Sequence, residues 1–148
     1  MLKPTKILVP TDFSEYSDKA LKQALDIAKQ YNAKVYLFHA IHEETQRIVL
    51  DFVVNAEEVE DIEKRHAAAA RAMMERQLKK FPGAEAIEVH IEVGKGNPFE
   101  AILDEEQKKG IDLIVIASLG RTGLAKYFIG NVARNVLKGA TAPVLLTR

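Results

Sequence analysis

The chain has 148 residues, 47% of them hydrophobic and 28% charged, which is enough apolar material for one full core. Its 21 basic and 21 acidic residues cancel, which excludes a general electrostatic pull toward nucleic acid or an anionic membrane. With no cysteine, disulfides and thiolate metal sites are excluded too. The opening Met1–Lys6 carries no apolar signal core and no apolar run is long enough to span a bilayer, so a cytoplasmic protein with no membrane partner is expected.

Ile7-Leu8-Val9, closed by Pro10, reads as a buried strand. A helix follows, because Ala20, Leu21, Ala24, Leu25, Ile27, Ala28 and Tyr31 recur on one helical face. Ser14 or Ser17 can cap it, and Asn32 suits a left-handed terminator. Val35-Tyr36-Leu37-Phe38 is a second strand, ending near His39-Ala40. From His42 to Asn55 neither period is clean, and Ile48–Val54 reads equally as loop, early helix or partner-facing surface. Ala56 to Phe81 is strongly helical in composition, with an alanine run at Ala67–Ala70 and a stop at Pro82-Gly83.

Ile87, Val89, Ile91 and Val93 alternate with polar residues, so a third strand with one wetter face is expected there. Gly94-Lys95-Gly96 reads as a turn. Asn97-Pro98 opens a helix, with Asn as cap and Pro at the first position, and Gly110 ends it. Phe99, Ile102 and Leu103 face inward. Leu113-Ile114-Val115-Ile116-Ala117 is the most continuous apolar run and reads as a central strand. A glycine loop, a helix near Phe128–Leu137 and a last strand at Val144-Leu145-Leu146 complete the chain.

The order is βαβαβαβαβ. Strands joined by helices are parallel with right-handed crossovers, so one α/β domain over 1–148 is expected, a three-layer sandwich around a five-stranded doubly wound sheet. Ligands of such sheets sit beyond the C-terminal strand ends, here Pro10-Thr11-Asp12, His39-Ala40-Ile41 and Ala117 onward.

Within that region, Ala117-Ser118-Leu119-Gly120-Arg121-Thr122-Gly123, continuing to Gly130-Asn131, is punctuated by glycine. Small residues let a phosphate approach backbone N–H groups, and a helix N-terminus at Gly130-Asn131 would favour an anion. Ser118, Thr122 and Asn131 add donors; Arg121 and Lys126 add charge. A plain turn explains the spacing equally well. No Walker A string is present, and Gly94-Lys95-Gly96 lacks the third glycine of a dinucleotide loop. His39, His42, His66 and His90 are expected as polar surface residues, because two neighbouring histidines without further ligands fall short of a metal site. The acidic stretch Glu57–Glu63 reads as a solvated helix face with Val59 and Ile62 beneath. No nucleophile–base pair and no carboxylate pair is evident.

Ile7-Leu8-Val9-Pro10-Thr11-Asp12-Phe13-Ser14, Ser118–Leu124, Ile129-Gly130-Asn131-Val132-Ala133 and Ala142–Leu146 together closely resemble the universal stress proteins, over nearly the whole chain except 42–55. The resemblance implies the adenine nucleotide alpha hydrolase-like fold. It also implies an ATP site, with Mg²⁺ carried on the phosphates. The family's G-x-x-G, nine residues, then G-[ST] falls on Ala117, Gly120, Gly130 and Asn131, so the spacing agrees while Ala117 and Asn131 depart from it. Leu119 stands where histidine is frequent. Asp12 would lie near adenine or ribose, or cap the first helix, or both. Ala40 would offer its backbone to adenine, and Ile116 and Val132 would line the pocket. The implied nucleotide-binding set is Pro10, Thr11, Asp12, Ala40, Ile116, Ala117, Ser118, Gly120, Arg121, Thr122, Gly123, Gly130, Asn131 and Val132.

The implied activity is that of a nucleotide-binding stress-response or signalling module, dimeric through the last strand, with slow or no hydrolysis. A dimeric interaction module without nucleotide is the alternative, resting on the departures at Ala117, Leu119 and Asn131. A ligase or pyrophosphatase would need a glycine-serine loop after strand one, and Pro10-Thr11-Asp12-Phe13 is not that loop.

Overall fold

The computed structural model describes residues 2–42, 55–120 and 128–148. These form strands β1 (Lys6–Pro10), β2 (Lys34–His42), β3 (Val89–Gly96), β4 (Leu113–Ala117) and β5 (Val144–Thr147). Between them lie helices α1 (Glu15–Tyr31), α2 (Ala56–Leu78), α3 (Pro98–Lys109) and α4 (Asn131–Gly139), with a short 3₁₀ turn at Ala84–Ala86. The sheet order is β3-β2-β1-β4-β5 and every pairing is parallel. The chain builds outward from β1 through β2 to β3, then returns to place β4 on the other side of β1. That reversal opens a crevice beyond the C-terminal ends of β1 and β4. The expected three-layer α/β architecture is the one observed.

Both sheet faces are covered, which is why β1, β2 and β4 read as unbroken apolar runs rather than as alternation. Ile7, Val9, Val35, Leu37, Leu113 and Val115 pack with α1 and with Met74 of α2. Leu8, Tyr36, Phe38, Ile114 and Ile116 point the other way, onto Ile102 of α3 and Ala133 and Val136 of α4. Burying each of the larger of these side chains contributes about 2 kcal/mol before chain entropy is counted.

Helix ends follow local chemistry. Ser14, not Ser17, caps α1: its side chain accepts the Ser17 N–H, while Ser17 is buried. Asn32 ends α1 in the left-handed region at φ 55°, and Gly110 ends α3 at φ 64°. Asn55 and Asn97 accept from Glu58 and Phe99 to cap α2 and α3.

Four boundaries differ from the sequence reading. α2 stops at Leu78 rather than Phe81, in a turn that precedes Pro82-Gly83. β3 begins at Val89 rather than Ile87, because the 3₁₀ turn holds the preceding chain. Gly94-Lys95-Gly96 is not a turn but the end of β3, in register with Ala40, Ile41 and His42. Gly94 is required there by packing: a Cβ would lie 2.6 Å from the Phe38 ring. Finally, α4 starts at Asn131, leaving Phe128 outside it and exposed.

Candidate functional site

Beyond the ends of β1, β2 and β4 lies a cavity of about 660 Å³. Its first wall is the link from β1 to α1. Thr11 is buried, and Asp12 and Phe13 face the cavity at its rim. Phe13 has φ 66°, a left-handed conformation that costs a side-chain-bearing residue about 1–2 kcal/mol. Local bonds offset that strain. The Phe13 N–H donates to Thr11 Oγ1 at 3.1 Å, the Ser14 N–H donates to Asp12 Oδ1 at 3.0 Å, and the Phe13 ring lies against His39 at 4.5 Å between centroids. Asp12 therefore does not cap α1, whose cap is Ser14; it braces the turn ahead of the helix by accepting the Ser14 N–H.

The second wall is the end of β2, with His39, Ala40, Ile41 and His42. His39 Nδ1 lies 2.8 Å from the Thr11 carbonyl oxygen. A carbonyl only accepts, so this contact puts the ring proton on Nδ1. β2 and the β1 link are thus tied across the cavity mouth.

The third wall is the chain leaving β4. Ser118 is buried; its N–H donates to the Thr147 carbonyl at 2.7 Å, and its carbonyl accepts the Gly130 N–H at 2.6 Å. These bonds clamp the Ala117–Gly120 segment between β5 and the start of α4. A Cβ on Gly120 would lie 2.7 Å from Asp12 Oδ2, and one on Gly130 would lie 3.2 Å from the Ser118 carbonyl. Both glycines are close-approach positions. Ala117 is not among the positive-φ residues, so its methyl carries no backbone strain.

The start of α4 forms the fourth wall. Gly130 caps it with no side-chain hydrogen bond, unlike the side-chain caps of α1, α2 and α3. The N–H groups of the first turn have no intrahelical acceptor, and the helix dipole adds partial positive charge there. The Gly130 N–H itself is taken by the Ser118 carbonyl. Asn131 Oδ1 accepts from Asn135 Nδ2 at 3.1 Å, so what Asn131 offers a ligand is its NH₂ group.

The expected site residues Pro10, Thr11, Asp12, Ala40, Ile116, Ala117, Ser118, Gly120, Gly130, Asn131 and Val132 all line this one cavity. Arg121, Thr122, Gly123 and Lys126 lie outside the described residues, as does the Ile48–Val54 run. Of the four expected surface histidines, exposed His42 and half-buried His39 and His66 border the cavity, and half-buried His90 stacks on Tyr36 at 5.0 Å. A whole wall was also missed: His66, Ala69, Ala70 and Met73 of α2 close the far side. Their spacing of three, one and three is a helical face, and the Ala67–Ala70 run was its signal.

Among the described lining residues, Asp12 is the one carboxylate and there is no Lys or Arg. No group of three His, Asp or Glu side chains suited to a metal ion occurs among the described residues. The arrangement provides backbone donors for an anion at one end and a carboxylate acceptor at the other, with apolar surface between them.

The universal stress protein family model matches residues 4–148. This chain belongs to the universal stress protein family. It is 32% identical over 143 residues to universal stress protein MJ0531 of Methanocaldococcus jannaschii, covering 97% of this chain and 81% of that one. The solved structure of MJ0577 from the same organism superposes at a TM-score of 0.81 with 29% identity, covering 99% and 96%. Two further structures of the family are nucleotide complexes. One, with cAMP, has a TM-score of 0.70 at 21% identity and covers 98% and 97%. The other, from Archaeoglobus fulgidus with dAMP, has a TM-score of 0.59 at 18% identity and covers 99% and 100%.

Proposed function

We propose that this universal stress protein binds an adenine nucleotide, ATP first, in the cavity at the strand ends. The observation that carries the reading is the start of α4. It is the one α-helix start among the described residues that lacks a side-chain cap, and it opens on a cavity beside two glycines that admit no Cβ without displacement. Phosphate oxygens suit the first-turn N–H groups and the Asn131 NH₂. Asp12 suits hydroxyls of the ribose or the adenine amine, because an ionised carboxylate only accepts. Ala40, Ile116 and Val132 supply the apolar and backbone surface between. The nucleotide complexes of structural relatives agree with this choice. Mg²⁺ would ride on the phosphates. Turnover would be slow or absent, which suits a stress-response or signalling role in the cytoplasm.

Titration calorimetry with ATP and Mg²⁺ tests the site. Saturable one-to-one binding is expected; no heat at millimolar ATP overturns it. Nucleotide retained through purification would be a second, independent sign.

A dimer through β5 is part of the same proposal. β5 is a sheet edge, and Leu145, Leu137 and Phe128 are exposed large apolar residues. At the opposite edge, Arg71 Nη1 donates to the Ile91 carbonyl at 3.0 Å, so β3 is partly covered by its own chain. Edge pairing by Val144, Leu145 and Leu146 would leave the cavity open. Sedimentation at micromolar concentration should show a dimer, and a Leu145→Lys variant a monomer. Dimerisation without nucleotide binding would favour the interaction-module reading instead.

A further inference from the structure

Behind the cavity wall formed by the β1–α1 link runs a buried polar chain, in which Thr11 and Ser17 border the cavity and Gln77 stands behind them. Thr11, Ser17 and Gln77 are all nearly inaccessible, and Gln77 comes from α2. The bonds run in a definite direction. Gln77 Nε2 donates to Asp18 Oδ1 at 2.8 Å, and Lys80 Nζ donates to Asp18 Oδ2 at 2.9 Å. Because a carboxylate only accepts, the Gln77 amide must turn its oxygen the other way, to Thr11 Oγ1 at 2.9 Å. The Thr11 hydroxyl has one proton. With that proton given to Gln77, its lone pair receives the Phe13 N–H at 3.1 Å. The order is therefore Phe13 N–H to Thr11, Thr11 to Gln77, Gln77 to Asp18.

The remaining groups of Thr11 are fixed as well. Its N–H donates to the Phe38 carbonyl at 2.8 Å, and its carbonyl accepts from His39. Thr11 is thus held by β2 through its backbone and by α2 through its side chain. The residue it steadies is Phe13, in the left-handed conformation, and between the two stands Asp12. Without an acceptor at Thr11 Oγ1, the Phe13 N–H loses its partner and the strained φ loses its support.

We propose that Thr11 and Gln77 act as one positioning unit that aims Asp12 at the hydroxyls of a bound nucleoside. Thr11 is then a supporting residue rather than a polar contact of the ligand, and α2 serves the site from behind as well as lining it. The inference rests on the nucleotide reading of the cavity.

The test compares binding of ATP and 2′,3′-dideoxy-ATP to the full chain by calorimetry, for the wild type, Thr11→Val, Gln77→Met and the double variant. The wild type is expected to prefer ATP. Each single variant should lower ATP affinity by about 3- to 10-fold, the scale of one hydrogen bond, while dideoxy-ATP binding changes little. The double variant should be no worse than Thr11→Val, because a unit can be broken only once. Equal losses for both ligands would mean general damage and overturn the proposal, as would strictly additive losses. Should Thr11→Val not fold, Gln77→Met carries the test alone: its Thr11 keeps Ser17 Oγ at 3.0 Å as an acceptor, which spares the fold, but loses the side-chain tie to α2 that holds the turn in place. Its ATP preference must still fall, or the proposal is wrong. A wild type that binds ATP without preferring it also overturns the proposal. A wild type that binds neither ligand is a different failure, that of the nucleotide reading itself, and shows before any variant is made.

Discussion

The two ends of the sheet use similar residues to opposite purposes. At the N-terminal end, the Asp112 carboxylate accepts from Thr5 N at 3.0 Å and Lys6 N at 3.0 Å, and also from the Thr5 hydroxyl. Lys6 Nζ reaches back to the Lys109 carbonyl at 3.0 Å, at the end of α3. Nearby, buried Glu106 turns Oε1 to Thr141 N at 2.9 Å, Thr141 Oγ1 at 3.1 Å and Ala142 N at 2.7 Å, fixing the turn into β5. Backbone N–H groups here are met by side chains of the same chain. At the C-terminal end, Asp12 also accepts a backbone N–H, yet it borders a 660 Å³ cavity faced by a helix start with no side-chain cap. A parallel sheet has polar backbone exposed at both ends. One end is closed by the protein's own carboxylates, and the other keeps its donors and its carboxylate around a space of ligand size.

The strongest way to break the contrast is to put a carboxylate where the C-terminal end lacks one. Gly130→Asp sets a negative charge among the α4 donors and should lower ATP affinity by more than about 100-fold, since both a bound phosphate and the side chain would seek the same N–H groups. The same carboxylate would cap α4, so the thermal midpoint should hold or rise even though a Cβ there meets the Ser118 carbonyl at 3.2 Å. Unchanged ATP affinity by calorimetry would place the phosphates elsewhere.

A pair of aspartates sharpens it next. Asp12→Ala is expected to reduce ATP affinity by about 10-fold while costing about 1 kcal/mol of stability, from the lost bond with the Ser14 N–H. Asp112→Ala should do the reverse: about 2 kcal/mol lost in urea unfolding, with ATP affinity untouched. If both variants changed binding equally, the two ends would not be functionally distinct.

Much of this contrast could be read in the residues before any coordinates. The strand runs Ile7–Val9, Val35–Phe38 and Leu113–Ala117 are apolar on both faces, which only a covered parallel sheet explains, and topology then locates the crevice. The loop glycines gave the rest of the position. What stayed hidden is long-range. Nothing local in Gly94-Lys95-Gly96 distinguishes a turn from a strand end, because the reason for Gly94 is the Phe38 ring from another strand. Gln77 looks like one more polar residue of a charged helix, and its burial depends on Thr11, sixty-six positions away. Glu106 follows the same logic, since its partners Thr141 and Ala142 belong to the β5 turn. The face made by His66, Ala69, Ala70 and Met73 was periodic enough to be seen as a face, but not to say what it faced.

The smallest predicted effect concerns a carboxylate of α3 outside the cavity. Glu105 Oε1 is buried without a hydrogen-bond partner among the described residues. Burial raises its pKa, with Lys109 opposing and Glu92 adding to the rise. A raised folded-state pKa means that the unfolded chain gives up this proton first. The favourable contribution of protonated Glu105 is therefore complete below the ordinary carboxylate value and is lost as pH climbs through the raised one. Glu105→Gln keeps the neutral shape at every pH. It should raise the thermal midpoint at pH 7 by no more than about 2 °C, because the group is partly solvated and its charge is screened. The gain should vanish at about pH 4, where the wild-type side chain is also protonated. A midpoint difference that stayed constant between these two values would mean that Glu105 titrates normally. Glu105 would then behave as a solvated carboxylate, and the buried Oε2 of Glu106 would be the one carboxylate oxygen left as an exception among the described residues.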